Sequence, residues 1–203
     1  EELKGDREIV LAAVTQDGRA FNPRALQFAA EEEYAAEELK GDREIVLAAV
    51  TQNGRALKYA AEHFKTSGQC VLAAVTQDGR ALKYAKKVIG ADKKVVLAAV
   101  RNNGMALQYA RKKAKKDRDI VLAAVTQDGG ALQYAAYKFQ MDREIILTAL
   151  SARNLEQVPI YNLIPMDLLG DGEIGFRIID VYGGGLPLSF LFHFIQENVN
   201  LII

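Results

Sequence analysis

Residues that usually mark chemistry are scarce in this 203-residue chain, which has one cysteine, two histidines and four prolines. A lone cysteine, Cys70, cannot close an internal disulfide, so nothing calls for an oxidising compartment. It reads as a small buried apolar residue rather than a reactive thiol. The histidines, His63 and His193, lie far apart. No His-x-x-x-His or Cys-x-x-Cys spacing occurs, which removes the usual structural zinc site. There is no Gly-x-x-x-x-Gly-Lys phosphate cradle and no Gly-x-Ser-x-Gly nucleophile elbow. No apolar run approaches the roughly 18 residues of a membrane-spanning helix. Net charge is zero, so no overall charge selects nucleic acid or membrane. No catalytic set, metal or cofactor is expected.

What the chain has is repetition. Val-Leu-Ala-Ala-Val recurs, with its leucine at Leu11, Leu47, Leu72, Leu97 and Leu122; Leu147 opens a degenerate copy, Leu-Thr-Ala-Leu. The intervals are 36 residues once and 25 thereafter. An expansion in the first unit, where Ala-Ala-Glu-Glu and Arg-Ala are duplicated, accounts for the longer interval. Glu1-Glu2-Leu3-Lys4 recurs as Glu37-Glu38-Leu39-Lys40 at the end of a unit. The chain is therefore expected to open mid-repeat, as a piece or processed form of something longer, with any targeting segment out of view.

One unit, Asp42 to Gly68, shows the logic. Asp42 suits a helix N-cap and Glu44 the positive end of the helix dipole. Ile45, Val46, Ala49 and Val50 then share an apolar face. Asn53-Gly54 reads as a helix stop, with Gly54 expected in the left-handed conformation. A second helix follows, with Leu57, Ala60, Ala61 and Phe64 on one face and Lys58 and Glu62 opposite. Two helices of about ten residues, each about 15 Å long, are marginal alone. Neighbouring units must stack to bury both faces. The fold class is thus mostly α: an α-solenoid of stacked short helical hairpins over residues 1–150. Paired alanines such as Ala73-Ala74 and Ala98-Ala99 keep the first helix thin, so that the layers approach closely.

The run Asp42 to Ala60, with its acidic cap, Val-Leu-Ala-Ala-Val, Asn-Gly and Ala-Leu-x-Tyr-Ala at fixed spacing, is similar to a family of bihelical tandem repeats. That family is catalogued only as a domain of unknown function and is common in bacteria, protists and algae. The resemblance covers about residues 1–150. It implies a helical repeat and brings no reaction and no catalytic residue.

Residues 151–203 read differently. Three of the four prolines and many glycines gather there, and alanine almost vanishes. Residues 174–182 and 186–195 are β-branched, aromatic or apolar, and Gly183-Gly184-Gly185 separates them. Leu188, Phe190, Phe192 and Phe194 alternate with Ser189, Leu191 and His193. This predicts a β-hairpin or an extended tail, serving as a cap on the array or as a docking segment. Asp167, Asp171 and Glu173 loosely resemble a calcium loop, but Leu169 and Ile178 stand where ligands are needed. A turn with solvated carboxylates fits better.

Three rows of equivalent residues qualify as readers of a repetitive ligand: Gln52, Gln77 and Gln127; Arg19, Arg55 and Arg80; Tyr59, Tyr84, Tyr109 and Tyr134. Packing between layers is the favoured reading, since every layer needs the same contacts. Charge is also unevenly placed. Residues 1–82 carry a net −4, residues 83–118 a net +10 and residues 119–203 a net −6. The basic block includes Lys86, Lys87, Lys93, Lys94, Arg111, Lys112, Lys113, Lys115 and Lys116. These sit at the ends of second helices and in the links, on one edge of the stack. The edge is either solvated or a patch for an acidic protein face, an anionic lipid surface or nucleic acid.

Two functional readings follow. The preferred one is a non-catalytic protein–protein interaction scaffold, or a linker subunit of a large assembly in the cytoplasm or an organelle such as a plastid. Its contacts would come from the basic block and the Leu188, Phe190, Phe192 and Phe194 stripe, and it could touch a membrane complex peripherally. The alternative is binding of nucleic acid or an anionic surface through residues 83–118. The acidic flanks disfavour nucleic acid along the whole length.

Overall fold

The computed structural model describes residues 11, 40–152, 160–165, 168, 170–187, 189–191 and 194–196. Its α-helices of eight residues or more, among the described residues, are α1 (Arg43–Gln52), α2 (Gly68–Gln77), α3 (Lys93–Asn102), α4 (Arg118–Gln127), α5 (Arg143–Leu150) and α6 (Gly172–Tyr182), and a single α-helical turn, Tyr137–Gln140, precedes α5. Each packs on the next, from α1 on α2 to α5 on α6. A second column runs beside them. It consists of short 3₁₀ helices, Gly54–Lys58, Gly79–Tyr84, Gly104–Tyr109 and Gly129–Tyr134, which also pack in sequence. Ile160–Leu163 continues that column against the last of these.

The starts of the α-helices follow from their caps. Asp42 accepts hydrogen bonds from the backbone N–H groups of Glu44 and Ile45, at 2.9 and 3.1 Å. Ser67, Asp92, Asp117, Asp142 and Asp171 do the same for their helices, so orphan donors of the first turn are satisfied. Every helix then turns the same face inward. Ile45, Val46, Ala49 and Val50 are fully buried, and so are the four equivalent residues of α2, α3 and α4 to within 2 %. The second alanine of each pair, Ala49, Ala74, Ala99 and Ala124, has no exposed surface, while the first is half-buried. Small side chains thus lie where adjacent helices meet.

The second element is not the α-helix that the apolar spacing predicts. It is a 3₁₀ helix of five or six residues, with bonds from residue i+3 such as Tyr59 N–H to the Ala56 carbonyl at 2.9 Å. Two ends hold it short. In three layers an extended alanine follows, Ala85, Ala110 or Ala135, with ψ of 146 to 158°. At the front, one residue serves both elements. The backbone N–H of Asn53 bonds the Ala49 carbonyl and ends α1, while its side chain accepts from Arg55 N–H and starts the 3₁₀ helix. Asp78 and Asp128 repeat this double role. Runs of 3₁₀ helix this long are uncommon, and here the neighbouring layers hold them in place.

Gly54 corrects a second expectation. Among the described residues only Gly183 has positive φ, so Gly54 is not a left-handed helix stop. Its role is close approach. A Cβ on Gly54 would sit 2.2 Å from the Ala74 carbonyl oxygen of the next layer. Gly79 against Ala99 (2.3 Å) and Gly104 against Ala124 (2.4 Å) repeat the contact. The two columns touch there backbone to backbone.

Residues after 150 differ from the expected β-hairpin: no strand occurs among the described residues. Residues 174–182, read as a strand, lie in α6. Aligned on their caps, Asp171-Gly-Glu-Ile-Gly-Phe-Arg-Ile-Ile matches Asp142-Arg-Glu-Ile-Ile-Leu-Thr-Ala-Leu. Ile174 and Ile178 are fully buried, as are Ile145 and Ala149. Stacking on α5 provides the tertiary contact that overrides β-propensity. Gly183–Gly185 makes a 3₁₀ turn, and the chain returns across α6. Phe194, 2 % exposed, lies on Gly175 so closely that a Cβ there would meet its ring at 1.9 Å. It meets Phe176 edge-on at 5.4 Å and stacks on Phe190 at 6.5 Å.

Candidate functional site

The repeated polar rows bond one layer to the next. In the glutamine row, Gln77 Oε1 accepts from Gly54 N–H at 3.0 Å, and Gln127 Oε1 accepts a short bond from Gly104 N–H. Asn102 takes the same place for Gly79 N–H at 2.7 Å, and its amide donates back to the Thr76 carbonyl. In the arginine row, Arg55 donates to Asp78 of the next layer at 2.8 Å; Arg19 lies outside the described residues. The tyrosines Tyr59, Tyr84, Tyr109 and Tyr134 are half-buried against the core. Gln77, Gln127, Arg55 and the four tyrosines are thus engaged within the fold, whereas Arg80 is exposed. Gln52 is exposed.

A further ladder runs along the helix starts, and the sequence reading missed it. In four layers the residue after the cap is a cation that reaches the start of the next helix; in α2 it is Gly68. Lys93 bonds Asp117 at 2.9 Å and Asp119 at 2.6 Å. Arg118 bonds Asp142 and Glu144, and Arg143 bonds Asp171 at 2.8 Å and Glu173 at 2.5 Å. Arg43 bonds Gln69 at 2.8 Å. Asp119 and Asp117 push the Lys93 pKa up, and Lys93 holds Asp117 below its usual range. Arg143 likewise lowers Asp171. The signal was present as a cap, base and acid in consecutive positions, 25 residues apart. Asp171 and Glu173 thus serve as a helix cap and a ladder rung; Asp167 lies outside the described residues. Among the described residues no His, Cys, Asp and Glu side chains gather as a metal-holding group.

The basic block is divided by the structure. Lys93 belongs to the ladder. Lys86 pairs with Glu62, which Lys65 also holds at 2.8 Å; together they lower the Glu62 carboxyl to about 2. Lys115 is half-buried, donates to the Gln108 carbonyl at 3.0 Å and lies over the Tyr134 ring. Burial lowers its pKa. These three are engaged within the fold rather than presented. Lys94 is exposed on the α3 start. Lys87, Arg111, Lys112, Lys113 and Lys116 are exposed on the links, and among the described residues no carboxylate lies within ion-pair distance of them. The links are tied edge to edge by one backbone bond per layer: Lys86 N–H to Lys65 O, Arg111 N–H to Gly90 O and Ala136 N–H to Lys115 O, at 2.8 to 3.0 Å.

The phenylalanine stripe is also revised. Phe190 and Phe194 are buried against α6 and are not available as docking residues; Leu188 and Phe192 lie outside the described residues. Open grooves among the described residues include two on the α-helices. One, on α6, is lined by Glu173, Phe176, Arg177 and Asp180. The other, between α1 and α2, is lined by Thr51, Leu72, Ala73 and Thr76. Thr51 and Thr76 donate to carbonyls of their own helices, which leaves that second surface largely apolar. Among the described residues no helix is long and apolar enough to cross a membrane.

Capped α-helices alternating with 3₁₀ helices and joined by polar ladders define a tandem helical-repeat protein. The chain belongs to the family described as Domain of unknown function (DUF4116), whose model matches three successive stretches, 33–65, 69–113 and 117–168. The last stretch runs past residue 150, consistent with the repeat-like α6 layer that follows it. No curated protein and no solved structure matches the chain.

Proposed function

We propose that this chain is a non-catalytic protein-interaction scaffold, an α-solenoid that serves as a linker subunit in a larger assembly. One observation carries the reading. Residues common to the layers are used in joining them: the caps, Gly54, Gly79 and Gly104, the Gln77 row and the cation ladder. Residues that differ between layers stand exposed at the links. A uniform frame with variable protrusions suits recognition of a macromolecular partner. The test is size analysis of the chain released gently from its native source, with crosslinking. Co-migration with stoichiometric partner chains is expected. A chain that travels alone under conditions that preserve other assemblies would overturn the proposal.

The exposed cations on the links favour a second reading, nucleic-acid or anionic-surface binding. Binding to RNA through several lysines weakens steeply as salt rises. Lys112→Glu, Lys113→Glu and Lys116→Glu together would then abolish it; unchanged RNA binding in this variant removes that reading.

A further inference from the structure

Each link ends in a two-residue tip, and the tips recur every 25 residues: Glu62-His63, Lys87-Val88, Lys112-Lys113 and Tyr137-Lys138. All eight residues are exposed. One buried side chain behind each tip, Phe64, Ile89, Ala114 or Phe139, anchors the link. The backbone bonds between links fix their order. With stacked helices about 8–10 Å apart, the last three tips form a strip about 20–30 Å long.

Two properties set this strip apart. Several cations of the fold meet a carboxylate in the adjoining layer, as Lys86, Lys93, Arg118 and Arg143 show. Among the described residues Lys87, Lys112 and Lys113 have no such partner, nor do Arg111 and Lys116 beside them; Arg80, Lys94, Arg101 and Arg177 are likewise without an ion pair, but the first five gather on the links of two consecutive layers. The strip also holds Val88 and Tyr137, 67 % and 72 % exposed, the most exposed large apolar side chains among the described residues. Concentrated like charge destabilises a compact chain, and exposed apolar side chains gain nothing from water. A partner with carboxylates and apolar side chains relieves both.

We infer that the tip strip from Lys87 to Lys138 docks a short, extended, acidic and partly apolar segment of another protein. Carboxylates of that segment meet Lys87, Arg111, Lys112, Lys113 and Lys116, and its apolar side chains meet Val88 and Tyr137. An extended chain advances about 3.3–3.6 Å per residue, so about six to nine residues cover the strip. A nucleic acid or a membrane surface extends further. It would run onto the next tip, where Glu62 already holds Lys65 and Lys86 and leaves no unpaired cation for a further phosphate. Val88 offers a base no ring to stack on, whereas it suits an aliphatic side chain.

This inference rests on the scaffold reading and names its contact surface. The test uses the whole chain and a fluorescent peptide of about nine residues, rich in glutamate with two leucines, alongside a glutamine counterpart, a uridine oligonucleotide and phosphatidylserine vesicles. The acidic peptide is expected to bind best. Lys112→Glu with Lys113→Glu should weaken it at least tenfold, and Val88→Ser with Tyr137→Ser several-fold. Lys94→Glu, on the α3 start, should leave it unchanged. Circular dichroism checks that each variant is folded. The inference is overturned if the glutamine peptide binds equally, if RNA or vesicles bind more tightly, or if the Val88 and Tyr137 changes have no effect. The scaffold reading fails separately, when the native chain proves to have no partner.

Discussion

Gly79 is the position where a single methyl group tests how the layers meet. The Cβ of Gly79→Ala would fall 2.3 Å from the Ala99 carbonyl oxygen and 3.1 Å from Asn103 N and Cβ. Ordinary contacts start near 3.4 Å, so the 3₁₀ helix must move away from α3 by about 1 Å. Overpacking of this kind costs about 1–3 kcal/mol. The shift also stretches the 2.7 Å bond from Gly79 N–H to Asn102, with about 1 kcal/mol more at stake. Against this, alanine restricts the unfolded chain and stabilises by about 0.4–1 kcal/mol. The net expectation is destabilisation by about 1–3 kcal/mol, or a fall in Tm on the order of 5 °C. Urea and thermal unfolding followed by circular dichroism provide the measurement. Gly68→Ala is the control, because nothing lies within 4 Å of its Cβ position; it should match the parent or gain up to about 1 kcal/mol. Gly79→Asn separates close approach from backbone conformation, since asparagine tolerates left-handed backbone. Close approach makes asparagine at least as harmful as alanine. A Gly79→Ala protein as stable as the parent, or an asparagine variant clearly better than the alanine one, would refute the contact.

The remaining expectations concern other parts of the molecule. Ala74→Leu places a larger side chain where no surface is exposed; it should cost about 1–3 kcal/mol in the same melts, and an unchanged melt would contradict the packing. Cys70 is 2 % exposed and burial raises its thiol to about 11, so thiol reagents at neutral pH should label it only after denaturant is added. The Glu62 carboxyl should titrate near pH 2 by NMR. Its pKa is lowered in the folded state, so its contribution is full above pH 4.5 and is lost as pH falls toward 2. Lys65→Met with Lys86→Met should return the midpoint to the ordinary glutamate range. Phe194→Ala removes a buried ring from Gly175 and Phe190, a change that typically costs about 3–5 kcal/mol in a core. Hydrogen exchange should show α6 losing protection before α2 does.

Much of the first column was legible because its signals are local and recur. Cap, apolar face and alanine pair each say the same thing in every unit, and the buried set Ile45, Val46, Ala49 and Val50 follows from spacing alone. The second column was harder. Leu57, Ala60 and Phe64 fit a helical face, yet what shortens the element is Asn53 capping in both directions and extended alanines such as Ala85. Neither has a strong sequence mark. Gly54 was identified as special for the wrong reason, because Asn-Gly has the same appearance whether it turns the chain or admits a neighbour's carbonyl. Residues 174–182 were misread because Ile, Phe, Val and Tyr favour strands locally, while the cap Asp171 and first-turn acid Glu173 marked a helix start. For the candidate site, net charge by segment located the basic block. Only the structure shows that Lys86, Lys93 and Lys115 are engaged, and that Lys138, Val88 and Tyr137 belong beside the exposed ones.

The cation ladder also has a grammar. Among the described residues each rung runs from the start of one helix to the start of the helix after it, never in reverse, so the layers that carry a rung have a donor side and an acceptor side; α2, where Gly68 follows the cap, sends none to α3. Two donor sides cannot join, and neither can two acceptor sides, which makes the order of layers a matter of polarity as well as covalent connection. At α6 the pattern receives Arg143 through Asp171 and Glu173, but Gly172, like Gly68 in α2, stands where Arg43, Lys93, Arg118 and Arg143 stand in other layers. That layer can accept a rung and has no cation to pass on, while Phe194 lies across its backbone. Rungs of one direction would bias any end-to-end association of such arrays toward one polarity.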